Sequence, residues 1–239
     1  RSDLGETIIS VQLIIIMYHG ARSGTGFVAG GVADRFGIKW PLIAGIVLYT
    51  TAVGLISLQD SLSPIAALRI PQGIGVAILF TLAPALVARA FGSSRRGAAL
   101  GVTLAAMGLG TFVGTLGGGL LGQEIGWPAI FWARIPIGIA LLLASLVALN
   151  GNLAKSVQDR TNHRFDLPGS LTVFATLFAF VLAMSFARVE GWLTPLPLVL
   201  FALTFVLGLV FAKGKKSGRF TIFPAGLTAF SGFKSGTLS

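Results

Sequence analysis

The chain has 239 residues, of which 54% are hydrophobic and only 11% charged, with a net charge of +10 and no cysteine. A mean hydropathy of +0.86, set against the roughly 25% charged residues of soluble domains, excludes a soluble globular class, and the lack of Cys excludes disulfides and thiolate metal sites. The basic residues cluster in short connections between apolar stretches rather than over a solvated face, which excludes nucleic-acid binding.

A membrane-spanning helix needs about 20 apolar residues. Seven stretches meet that length, at 8–28, 42–58, 64–90, 98–121, 130–149, 168–187 and 195–212. No signal peptide is visible ahead of them, because the chain opens at Arg1 in a polar stretch. The predicted fold is all-α, a polytopic helical membrane protein. The 32 glycines supply small residues for close helix packing. The first span is unusual in carrying Tyr18, His19 and Arg22 on neighbouring faces. Arg22 precedes Asp34 by 12 residues, which at 1.5 Å per residue places it about 18 Å inside the membrane. A charge at that depth faces a wet cavity or a partner, so these three residues are candidates for a substrate cavity.

Residues 30–39 read G-G-V-A-D-R-F-G-I-K and form a charged knot of about 8 residues between the first two spans. Gly30, Asp34, Arg35, Gly37 and Lys39 are its marked positions, with Arg35 or Arg89 as the expected partner of Asp34. The plain reading is a polar turn at the membrane surface. The third span opens with L-R-I-P-Q-G-I-G-V-A, residues 68–77, in which Arg69 and Gln72 share a helix face at i, i+3. The alternative for Arg69 is snorkelling to the nearby interface. The fourth span repeats glycine at Gly110, Gly114, Gly118 and Gly122, a stripe on which another helix can pack and slide; tight packing alone explains it equally. Then come Gly126, Trp127, Phe131, Arg134, Pro136 and Gly138, and, after the polar loop 150–166, the run F-D-L-P-G at residues 165–169.

Orientation follows from the loops. Those at 34–40, 89–97, 150–166 and 213–219 hold twelve Lys and Arg, while the opposite loops hold only Arg188. The positive-inside rule therefore puts the first set in the cytoplasm and the N-terminus outside.

In this order the motifs resemble those of major facilitator superfamily transporters. Residues 30–39 are similar to the loop signature G-x-x-x-D-R-x-G-x-K/R, with Ile38 where a second basic residue is usual. Residues 69–75 are similar to R-x-x-Q-G-x-G of the family's fourth helix, which implies a role for Arg69 and Gln72 in proton coupling. The glycine run resembles the antiporter motif G-x-x-x-G-P-x-x-G-G, with Thr115 in the Pro position. The stretch from Gly126 to Gly138 resembles G-W…F-x-x-N-x-P-x-G of the 14-helix drug:proton antiporters, with Arg134 replacing Asn. For Arg134, snorkelling or sequence drift is as good an account as function.

The resemblance implies that the chain covers helices two to eight. Residues 1–149 would form an N-terminal bundle lacking its first helix, and 150–166 a cytoplasmic loop. An extra helix pair would follow at 167–213, then a tail, 214–239, leading to an absent C-terminal bundle. It implies a conformational gate at Gly30, Asp34, Arg35, Gly37, Lys39 and Arg89. The expected function is proton-coupled export of drug-like or amphipathic compounds across a plasma (inner) membrane, with the lipid bilayer, protons and a small-molecule substrate as partners and with no cofactor, metal or enzymatic activity. The alternatives are uptake or exchange of small anionic metabolites, favoured by Arg22, Arg69 and Arg134, and a non-transporting fragment or scaffold.

Overall fold

The computed structural model describes residues 8–149 and 166–216. Most of the 150–166 loop, the tail beyond 216 and the first residues of the chain lie outside the described residues. The described residues form eight helices in order: α1 (Ile8–Phe36), α2 (Lys39–Ser57), α3 (Leu62–Ala90), α4 (Ser93–Glu124), α5 (Trp127–Trp132), α6 (Arg134–Ala148), α7 (Leu167–Glu190) and α8 (Pro195–Lys216). The described residues contain no strand.

The breaks between helices have local causes. Gly37 takes φ +90°, a conformation that side chains with a Cβ rarely adopt, and its N–H donates to the Ala33 carbonyl at 2.9 Å to close α1. Asp166 caps α7 by accepting from the Gly169 N–H at 2.8 Å, with Pro168 in the first turn; both are favoured helix-start residues.

Three expectations need correction. The charged knot at 30–39 is not an eight-residue loop: Gly30, Asp34 and Arg35 lie on the last turns of α1, Lys39 opens α2, and only Gly37 and Ile38 lie between the helices. Charged residues at a helix end face water without ending the helix, so the span runs on past its apolar part. The fifth span is two pieces, α5 and α6, joined at Ala133. Among the described residues, six helical stretches, rather than seven, are long and apolar enough to cross a membrane unaided. The exception is α1, whose centre carries Tyr18, His19, Arg22, Ser23 and Thr25.

What α1 lacks in hydropathy it gains in packing. Helix α3 lies between α1 and α2, and α7 covers another side of α1. At the waist of the bundle the helices meet backbone to backbone. A Cβ on Gly73 would come within 2.5 Å of the Tyr18 carbonyl oxygen, and one on Gly75 within 2.7 Å of the Tyr49 nitrogen. On the α7 side, Gly20 and Gly24 receive the rings of Phe178 and Phe174, which stack on each other at 5.7 Å. Two apolar clusters flank the waist. Ala33, Ile38, Leu42, Ile46, Leu82 and Leu149 form one, and Ile14, Val53, Ile56, Leu62, Ile65 and Phe131 the other.

Helix α4 stands apart, with no buried residue along its length. Its glycine stripe is not packed as expected. Gly110 and Gly114 have open space where a side chain would be, and only Gly118 and Gly122 approach a neighbour, Ile130, at 3.6 and 3.1 Å.

Candidate functional site

Parallel helices α1 and α3 end on the same side of the bundle, and there Asp34 Oδ1 accepts from Arg89 Nη2 at 2.7 Å. Arg35 does not make this contact; its guanidinium lies 5.5 Å from the Phe36 ring, and the Lys39 ammonium 5.2 Å from Trp40. Gly30 has open space beside it. The Asp34 side chain is 54% exposed and that of Arg89 25%, so the pair contributes only about 0–1 kcal/mol to stability. An interaction of that size does not hold a fold together, but it can bias two arrangements of similar energy.

A second polar group lies within the spans. Arg69 Nη1 donates to Gln72 Oε1 at 3.0 Å, and Gln72 is 1% exposed. The Arg69 guanidinium lies 5.1 Å from the Phe131 ring and 6.0 Å from the Tyr18 ring. Arg134 lies 5.6 Å from the same Phe131 ring, so one buried phenyl group serves two cations. Each cation–π contact is worth about 0.5–2 kcal/mol, comparable with the roughly 3 kcal/mol that insertion scales assign to a charge at the membrane centre. The Arg69 Nε is a buried donor with no acceptor.

The third feature is Arg22, at the midpoint of α1. Its guanidinium lies 4.5 Å from the Phe80 ring of α3 and lines a cavity of about 420 Å³ with Ser23, Gly26, Phe27, Ala77, Phe80 and Thr81. Gly26 keeps this cavity open, since a Cβ there would meet Thr81 Oγ1 at 2.8 Å. Tyr18 and His19 were expected to share the cavity with Arg22 and do not line it. Successive helical positions diverge: the rings of Tyr18 and His19 meet edge to face at 5.1 Å, and Tyr18 turns toward Arg69.

Among the described residues, no carboxylate lies within 4 Å of Arg22, Arg69 or Arg134. Asp34, Asp60, Glu124, Asp166 and Glu190 all sit at helix ends or in connections. Sequence reasoning missed Phe80 and Thr81, which only the α1–α3 packing brings to Arg22. It also missed the small-residue pair Gly20 and Gly24. Their four-residue spacing was a readable packing signal, and it is occupied where the longer stripe on α4 is not.

The chain is 30% identical over 184 residues to the riboflavin transporter RibZ of Clostridioides difficile, covering 77% of this chain and 40% of that protein. It is 30% identical over 192 residues to the tetracenomycin C resistance and export protein of Streptomyces glaucescens, covering 80% and 35%. It is 33% identical over 235 residues to the puromycin resistance protein pur8 of Streptomyces alboniger, covering 96% and 44%. The chain thus spans less than half the length of these relatives. The sequence profile of the Major Facilitator Superfamily matches residues 1–238. With six membrane-length apolar helices and that match over nearly its whole length, the chain is an integral membrane protein and belongs to the Major Facilitator Superfamily.

Proposed function

We propose that the complete protein is a proton-coupled secondary transporter, not an enzyme, that exports drug-like or amphipathic compounds. The observation that carries this reading is the cavity at Arg22, halfway along a helix of a bundle whose relatives include antibiotic resistance and export proteins. Alternating access rocks two bundles about a site near the membrane midplane. In this reading residues 1–149 belong to one bundle, α7 and α8 are an added pair, and a second bundle comes from the rest of a complete transporter. Asp34 and Arg89 hold one face closed, with Gly30, Arg35, Gly37 and Lys39 shaping that end. Arg69, supported by Gln72, tunes a titrating group supplied by another segment or by His19. The stripe from Gly110 to Gly122 is left for a sliding partner helix.

The test is efflux of puromycin from cells carrying the complete protein, with and without a protonophore. Export that collapses with the proton gradient supports the reading; puromycin retention equal to that of cells without the protein overturns it for this substrate type. Coupling is tested by Arg69→Lys and Arg69→Ala, with substrate exchange and proton-driven transport measured separately. Loss of proton-driven transport with exchange preserved assigns Arg69 to coupling, and equal loss of both assigns it to structure or binding.

Uptake or exchange of small anions is the second reading, favoured by three intramembrane arginines with no carboxylate beside them among the described residues. For orientation we propose that the Asp34 end faces the cytoplasm, on the asymmetry of Lys and Arg between loops. A single Cys at Ser94, in this Cys-free background, should escape an impermeant reagent applied from outside; labelling from outside reverses the assignment.

A further inference from the structure

We infer that the Arg22 cavity selects substrates bearing an anionic group on an aromatic or otherwise flat apolar body. This deepens the export reading by naming the charge class of its substrate. Arg22 has 14 residues of α1 on either side, so about 21 Å of helix separates it from each end at 1.5 Å per residue. That is too deep for its head group to snorkel to either interface. Guanidinium stays protonated in proteins, so the cavity carries a fixed positive charge. The Arg22 guanidinium carbon lies over the Phe80 ring, 4.5 Å from the centroid. A guanidinium presents its N–H donors in its own plane, where a carboxylate can accept two of them side by side.

Among the described residues nothing takes those donors. No hydrogen bond joins Arg22 to any described residue, and no carboxylate lies within 4 Å of it. The hydroxyl of Ser23, which also lines the cavity, donates to the Gly20 carbonyl at 2.7 Å. The remaining walls are Phe27, Ala77 and Phe80, with Thr81 and the bare backbone at Gly26. A cavity of about 420 Å³ lies within the range of small-molecule sites, roughly 300–1,000 Å³, that combine apolar walls with few orienting polar groups. One cation, two phenyl rings and, among the described residues, no acid fit an aromatic acid.

Binding and efflux are measured separately, so that either can fail without the other. The purified complete protein is titrated with 2-naphthoate and with 2-naphthamide, which share a ring system and differ in charge. Wild type should bind the carboxylate about ten-fold or more tightly than the amide, the preference expected of one charge-assisted hydrogen-bonded pair. Arg22→Gln should bring that ratio close to one by weakening the carboxylate. Arg22→Lys, which keeps the charge and loses the planar fork, should retain a reduced preference. Equal affinities in wild type would overturn the inference even if no variant folds. A preference that survives Arg22→Gln, or equal weakening of both ligands, overturns it as well, because Arg22 then acts on the fold or on another part of the protein. If the preference is found and cells carrying the complete protein export neither 2-naphthoate nor puromycin, the export reading fails and the charge selectivity stands.

Discussion

Helices α2 and α4 have the same mean hydropathy, 1.7, yet 44% of the apolar stretch of α2 is buried and none of that of α4. In water such a difference would separate core from surface, and the exposed helix would not be tolerated. In a bilayer the solvent is itself apolar, so hydropathy specifies that a helix crosses but not what covers its sides. What separates the two helices is shape. Gly45 of α2 approaches Ile78 and the Gly75 carbonyl, whereas Gly110 and Gly114 of α4 approach nothing. Glycine is thus a packed contact in one region and a vacancy in the other, and substitutions there can break or sharpen the contrast.

The largest effect is expected at the waist. Gly75→Leu puts a side chain where the Tyr49 backbone nitrogen lies 2.7 Å from the first added carbon. Overpacking of this kind costs about 1–3 kcal/mol or more, and here the obstacle is backbone, so the upper end applies. Thermal denaturation of the purified chain in detergent should show a large fall in midpoint. Next comes Gln72→Leu, which removes the acceptor of Arg69 Nη1 in a site that already leaves Nε without one. The expected loss is about 1–3 kcal/mol, and a variant as stable as the parent would mean that Arg69 finds another acceptor.

Asp34→Asn should change stability by no more than about 1 kcal/mol, as for other exposed pairs. In the complete protein it should nevertheless abolish transport while leaving membrane insertion intact; normal transport would reduce Asp34 to a topological marker. The smallest effect is expected on α4. Gly114→Val meets nothing within 4 Å and should shift stability of this chain by no more than about 0.5 kcal/mol. A fall comparable with that of Gly75→Leu would show that α4 is covered after all, and the contrast between the two regions would be lost.

Most of the span positions were legible because an apolar run of membrane length has one common solution. The ends were not. Asp34 and Arg35 read as loop residues, yet α1 continues through them until Gly37, because helix termination is a matter of backbone φ and capping rather than of charge. Arg69 and Gln72 could be paired from their i, i+3 spacing, which one helix suffices to fix. Arg22 and Phe80 lie 58 positions apart in the sequence, and no local rule brings them together. The same limit explains the glycine stripe on α4. Four-residue spacing says that a close approach is possible, and only the fold says whether a partner arrives.

The placement of α3 between α1 and α2 has a consequence for biogenesis. Helix α1 precedes α2, α3 and α7 in the chain, and of these four it is the one that its own composition does not commit to the membrane. The surfaces that shelter its polar centre belong to α3 and α7, which leave the ribosome later. During synthesis α1 must therefore wait, held near the translocation machinery or at the lipid boundary, until α2 has crossed and α3 has turned back beside it. Secure residence of α1 is decided by sequence not yet translated when it emerges.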